Sequence, residues 1–176
     1  MLVAMRFRQR CLLVLLIVCA CVSCDQTTKR IAAEHLPREH ALSFAGDCVR
    51  LQVVENRGAF LGLGDELPAP VRELVLTGAV GVFLAVFLVF LLGSSKWSRP
   101  ALVAGALLVG GGLGNLVDRI LSGHVIDFLN CGIGPVRTGI FNVADMAIML
   151  GLFVVVGSHM RHRAPTPVAA PDRGFP

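Results

Sequence analysis

The chain has 176 residues, 55% of them apolar and only 16% charged, with a mean hydropathy of +0.72. A soluble domain of this size carries about 25% charge, so disorder, coiled coil, collagen and a disulfide scaffold are excluded and an integral membrane protein is indicated. The net charge of +4 reads as orientation in a membrane rather than affinity for nucleic acid.

Four segments are long and apolar enough to be spans, at about 11–29, 74–93, 101–117 and 140–158. Outer loops then cover 30–73 and 118–139, and residues 1–163 form one four-helix membrane domain. Arg6, Arg8 and Arg10 precede the first span, Lys96 and Arg99 separate the second from the third, and Arg161 and Arg163 follow the fourth. Every acid except Asp172 falls in the opposite loops or in span ends that face them. Both termini are therefore expected in the cytoplasm. The Pro-rich tail, 164–176, reads as a disordered cytoplasmic end. Arg6–Arg10, the apolar run after them and the small residues before Cys21 and Cys24 also resemble a cleavable secretory signal. Cleavage would leave three spans and move Arg161 and Arg163 outside, so the charge asymmetry favours an uncleaved anchor.

In the first outer loop Val49, Leu51 and Val53 alternate with Arg50 and Gln52, the period of a strand with one apolar face. Gly58, Gly62, Gly64, Pro68 and Pro70 then break the chain. A small antiparallel sheet on the outer membrane surface is expected. The apolar run Val125–Leu129 of the second loop either pairs with it or lies along the interface.

Ionisable groups in spans cost about 2.5–3.5 kcal/mol each at mid-bilayer, so their presence needs a reason. Here they collect at one level: Asp25 ends the first span, Asn115, Asp118 and Arg119 end the third, Asn142 and Asp145 open the fourth, and Asp127 lies between the last two. For a span beginning at Ile140, Asp145 is the sixth residue, about 8 Å below its end. Spacings of three and four put Asn115, Asp118 and Arg119 on one helical face. Glycines 105, 110, 111, 112 and 114 allow close approach of neighbouring helices, so polar faces can meet in a water-accessible pocket. The plainer reading makes Asp118–Arg119 an interfacial pair and Asn142 a cap.

The five histidines form no HExxH, and Cys21-Val-Ser-Cys24 is a single CxxC without a second pair, so no metal site or cofactor is expected. Two carboxylates, Asp127 and Asp145, could share a proton and activate water. A transporter or assembly factor with proton-carrying acids would look similar.

Five motifs occur in order: Asp25-Gln-Thr-Thr-Lys29, Glu55-Asn-Arg-Gly-Ala-Phe60, Gly114-Asn-Leu-Val-Asp-Arg119, His124-Val-Ile-Asp-Phe128 and Phe141-Asn-Val-Ala-Asp145. Together they resemble lipoprotein signal peptidase, or signal peptidase II, over roughly residues 11–158. The resemblance implies an α-helical membrane protein of four transmembrane helices with a small extracytoplasmic β-sheet, in the bacterial inner membrane. It implies an aspartic endopeptidase acting near the extracytoplasmic face, cutting diacylglyceryl-modified prolipoproteins before the lipid-bearing cysteine. Asp127 and Asp145 match the catalytic dyad. Asp25, Lys29, Asn56, Gly58, Asn115, Asp118, Arg119 and Asn142 match supporting positions, with Asn56 and Arg119 nearest the substrate backbone and Asp25 and Lys29 structural. Membrane lipid is an implied partner, and inhibition by globomycin is expected. Two features depart from the pattern. The asparagine motif is one residue short between Gly58 and Phe60. Six cysteines are also unusual; Cys48 and Cys131 fall in the outer loops, where a disulfide is chemically permitted.

Overall fold

The computed structural model describes residues 5–59, 64, 66–95 and 97–162, the last five by backbone alone. Phe60 and the tail 164–176 lie outside the described residues. Four helices, α1 (Phe7–His35), α2 (Ala69–Gly93), α3 (Arg99–Ser122) and α4 (Val143–His162), carry a four-stranded sheet at one end.

Among the described residues α1, α2 and α3 are long and apolar enough to cross a membrane; α4 contributes the shorter apolar stretch Val143–Gly157. Large apolar side chains such as Val82, Phe83, Val89 and Phe153 are exposed on the bundle, as a lipid-facing surface requires. The core runs between helices and at one end gathers Val14, Leu91, Leu102 and Ala106. There Arg10, read from the sequence as an orientation charge, is buried and donates from Nη2 to the carbonyls of Leu91 and Leu92, both at 2.9 Å. It thereby satisfies carbonyls left open at the end of α2.

α3 is the central helix and packs on all three others. Its glycines make this possible. A Cβ at Gly111 would collide with the Ala144 carbonyl oxygen, and one at Gly114 would sit 2.7 Å from Asp25 Oδ2. Cys21 lies against Gly110, so it packs as a small apolar side chain. The helix boundaries differ from the expected spans. α2 starts at Ala69, with a wider π-helical turn over Leu74–Ala79, and α3 continues to Ser122, past the expected span end near 117, which keeps Asp118 and Arg119 on the helix with Asn115. Ser98 caps the start of α3 and Gly123, at φ 74°, ends it in the left-handed conformation. α4 starts at Val143, so Asp145 is its third residue, about 5 Å from the helix start rather than 8 Å.

Strands β1 (Leu42–Phe44), β2 (Val49–Asn56), β3 (Val125–Ile133) and β4 (Val136–Arg137) form one antiparallel sheet in chain order. The second loop therefore pairs with the first. Leu51 faces Leu129 but Val54 faces Asp127, so β2 holds one extra residue, a bulge that re-aims the strand beyond it. Phe141 bridges Leu129 and leads the chain from the sheet into α4. Cys48 and Cys131 are free thiols. Val49 pairs with Cys131 while the Cys48 carbonyl accepts from Gly132, one register position away. Alternation along the strand sends the two cysteines to opposite faces.

Candidate active site

Where the sheet meets the bundle, three elements converge: the end of β2, the start of β3 and the start of α4. Asn142 precedes α4 and forms a capping box with Asp145. Asp145 N–H donates to Asn142 Oδ1 (3.0 Å), and Asn142 N–H donates to Asp145 Oδ2 (3.2 Å). This uses two backbone donors that a helix start leaves open and fixes the Asp145 rotamer. Asp145 Oδ1 accepts from Asn115 Nδ2 at 2.9 Å.

The Asn142 amide does a second task. Its Nδ2 donates to Asp127 Oδ1 (2.6 Å) and to Asn115 Oδ1 (3.0 Å). Asp127 Oδ2 accepts from Asn56 Nδ2 at 2.8 Å. Asp127 and Asp145 are thus joined through one fully buried asparagine and held by three amide side chains. Asp127 is only 3% exposed. Burial pushes its carboxyl up to about 6, with Asp145 nearby raising it further, against the lowering effect of the Asn56 and Asn142 hydrogen bonds and of Lys29. A carboxyl so placed can hold a proton near neutrality beside a second carboxylate.

Asp145 also lines a cleft of about 280 Å³ between α2, α3 and α4, together with Asn115, Arg119 and Ala59 at its polar end and Leu76, Val80 and Ile148 along its apolar wall. Arg119 donates from Nη2 to the Gly58 carbonyl (2.6 Å), and its Nε is buried without a partner. Asn56 Oδ1 is likewise buried without a partner.

The remaining motif residues form a separate cluster behind the pair. Lys29 Nζ, almost wholly buried, contacts Asp25 Oδ2 (2.7 Å), Asp118 Oδ2 (2.8 Å) and Asn115 Oδ1 (2.9 Å), which uses all three of its protons. Asp25 Oδ1 accepts from the Ala144 backbone N–H (2.9 Å), the third open donor at the start of α4. Asp118 therefore turns toward α1, away from the cleft that Asn115 and Arg119 line. The single polar face expected on α3 divides between two sites.

Gln26 was not singled out from the sequence, yet its Nε2 donates to Asp118 Oδ1 at 2.7 Å and to the Gly114 carbonyl at 3.2 Å. Its only sequence signal is its place within the Asp25–Lys29 run. Among the described residues no group of three His, Cys, Asp or Glu side chains is gathered as a metal would need.

Comparison with known proteins decides the family. A model of the family described as Signal peptidase (SPase) II matches residues 17–161. The chain belongs to the signal peptidase II family. A lipoprotein signal peptidase of Chlorobium phaeobacteroides is 37% identical over 142 residues, covering 75% of this chain and 86% of that protein. One from Oleidesulfovibrio alaskensis is 34% identical over 157 residues, covering 89% and 99%. A bacterial membrane enzyme solved by the in meso method at 2.3 Å superposes with a TM-score of 0.74 at 25% identity, over 88% of this chain and 93% of the other. A second, solved at 1.9 Å, shares the fold with a TM-score of 0.71. This member of the signal peptidase II family is thus a multi-pass membrane peptidase.

Proposed function

We propose that the protein is an aspartic endopeptidase that removes signal peptides from diacylglyceryl-modified prolipoproteins, cutting before the lipid-bearing cysteine. The observation that carries this reading is the pair Asp127–Asp145, bridged by Asn142 at the head of an apolar cleft. Asp127, the more buried carboxyl, holds the shared proton and polarises the scissile carbonyl. Asp145 is the base: it takes a proton from water as the water oxygen attacks the carbonyl carbon. Collapse of the tetrahedral intermediate breaks the C–N bond, and the amine leaves with a proton from the dyad, which returns to its starting state. Asn56, beside Asp127, and Arg119, at the polar end of the cleft, lie nearest the substrate backbone. No cofactor is needed for these steps.

The bundle end that carries the sheet faces the extracytoplasmic side of the inner membrane, and both termini lie in the cytoplasm. This orientation follows from the basic flanks and the acidic loops. It puts the dyad at headgroup depth, where a diacylglyceryl-anchored cysteine presents its preceding bond, with the lipid in the apolar part of the cleft. Residues 1–163 act as one peptidase domain.

The test is cleavage by the purified protein of a diacylglyceryl-modified precursor, with an unmodified precursor and globomycin as controls. Cleavage of the modified precursor alone, stopped by globomycin, is expected. A well-folded protein that cleaves neither precursor would favour a proton-carrying or assembly role for the same acids.

A further inference from the structure

The strand register sorts the sheet into two unlike faces. Directly paired residues of an antiparallel sheet share a face, and successive residues alternate between faces. From Leu129 outward one face carries Phe44, Val49, Leu51, Leu129, Ile133 and Val136 and, among the described residues, no charge. The other carries Ser43, Arg50, Asn130 and Arg137. There Asp47 accepts two hydrogen bonds from Arg50, at 2.7 and 2.6 Å, and its carbonyl accepts from Arg137 Nη1 at 2.7 Å. Val125 and Asp127 alternate in step with Leu129, and both are buried where β3 meets the helices. The apolar face is therefore the one turned toward the bundle. Along β3 it emerges from cover. Leu129 and Cys131 are half-buried, while Ile133 is 79% exposed and its partner Val136 78%. At about 3.3 Å per residue, Ile133 lies about 20 Å along the strand from Asp127. Phe44, on the same face of β1, is exposed as well.

We propose that this overhanging face docks on the lipid leaflet at the sheet end of the bundle, with Phe44, Ile133 and Val136 in the acyl boundary and Arg50 and Arg137 turned to water. Three observations select lipid as the occupant. The face looks the same way as the buried Val125 and Asp127, toward the bundle and the membrane that the bundle spans, whereas a soluble partner approaches from the other side. The lipid-facing surface of the helices reaches the foot of the sheet, because Ile120 and Leu121 in the last turn of α3 are exposed just before β3 begins. The segregation of apolar from charged side chains is that of an element lying in a membrane interface, and a tip of two paired aliphatic residues is otherwise left in water. None of Phe44, Ile133 and Val136 lines the cleft at Asp145 or the groove along α4. The contact is thus separate from the active site, and it does not depend on the catalytic assignment. It holds β3 at two points, the bundle and the leaflet, and so fixes the height of Asp127 in the membrane.

Tryptophan fluorescence of the full chain in phosphatidylcholine vesicles tests the docking. Trp97 is the single natural tryptophan, and its emission, taken from the unsubstituted protein, is subtracted. Ile133→Trp and Val136→Trp place reporters on the apolar face and Ser43→Trp places one on the polar face; all three positions are exposed, so no core contact is lost. Lipid brominated near the top of its acyl chains should quench the first two about threefold and leave the third nearly unchanged, since an interfacial element sinks about 5–10 Å into the boundary. Acrylamide in the water should quench them in the reverse order. The same contrast is expected when each reporter is combined with Asp127→Asn, which separates docking from catalysis. Acrylamide quenching of Ile133→Trp and Val136→Trp as strong as that of Ser43→Trp overturns the proposal. Equal quenching of all three by brominated lipid also overturns it, because the two faces would then not differ. Protection of Ile133→Trp that ignores bromine and grows with the protein-to-lipid ratio would assign the face to a second copy of the chain instead.

Discussion

Two buried carboxylate clusters lie side by side at the sheet end of the bundle, and they are built on opposite principles. In the Asp25–Lys29–Asp118 cluster a cation sits between two carboxylates and all its protons are used, while backbone N–H groups of Ala144 and Ile126 fill further acceptor positions. In the Asp127–Asp145 pair the direct partners are amides of Asn56, Asn115 and Asn142 and one backbone N–H; among the described residues no cation touches either carboxylate. A guanidinium or ammonium in contact would favour the ionised form of a carboxyl, whereas amides orient it without adding a charge. The first cluster ties α1, α3, β3 and α4 together. The second, held in place by the first through Asn115, contains Asp127, whose carboxyl burial raises to about 6.

This contrast predicts different consequences for substitutions only one residue layer apart. The largest effect belongs to the pair. Asp127→Asn and Asp145→Asn should each lower processing by about 10³-fold or more while the inserted protein accumulates normally, because each keeps the size of the side chain and removes its carboxyl group. Near-normal cleavage by either variant would remove the assigned mechanism.

Lys29→Met should do the reverse in origin. It leaves two buried carboxylates facing each other and is expected to cost about 3–5 kcal/mol of stability, seen as a lowered unfolding midpoint in detergent and poor accumulation. Unchanged stability would mean that the two clusters do not differ in the way described.

The pH dependence sharpens the comparison. The Asp127 carboxyl, raised mainly by burial to about 6, loses its proton as pH rises through that value. The singly protonated dyad is lost with it, so kcat/KM should fall on the alkaline side. Stability follows the same sign. Between the ordinary carboxyl range near 3.8 and about 6 the folded chain retains a proton that the unfolded chain has released, so stability declines as pH rises through that window. Asn56→Ala removes a hydrogen bond that favours the ionised form, and the alkaline limb should therefore move to higher pH. A limb that stays fixed in this variant would place the titration elsewhere.

The smallest expected effect is that of Gln26→Ala, which removes one donor from Asp118 and should cost about 1–2 kcal/mol. Thermal unfolding should show it, with the pH profile of the residual activity unchanged.

Much of this was legible along the chain because membrane insertion and helix geometry act locally. Apolar runs marked the four helices, and alternation at Val49–Val53 marked β2. The glycines of α3 announced close packing, and the spacing of Asn142 and Asp145 already contained a capping box. Other features were hidden because they depend on partners far along the chain. Gln26 becomes important only when α3 brings Asp118 beside it. Arg10 has a structural task only because α2 ends against it. The depth of Asp145 was overestimated because Phe141 pairs with the sheet before the helix begins.

The sequence by itself determined a membrane protein and the residue types of its site, because hydropathy, charge asymmetry and motif spacing are properties of the chain. Only the tertiary structure decided how those acids divide. Asp118 and Asn115 leave the same helix three residues apart, yet Asp118 turns to Lys29 on α1 while Asn115 reaches from Lys29 across to Asp145 on α4. The physical reason is the absence of side chains at Gly111 and Gly114, which lets α1 and α4 press on α3 from two sides and sets the Lys29 cluster apart from the Asp127–Asp145 pair.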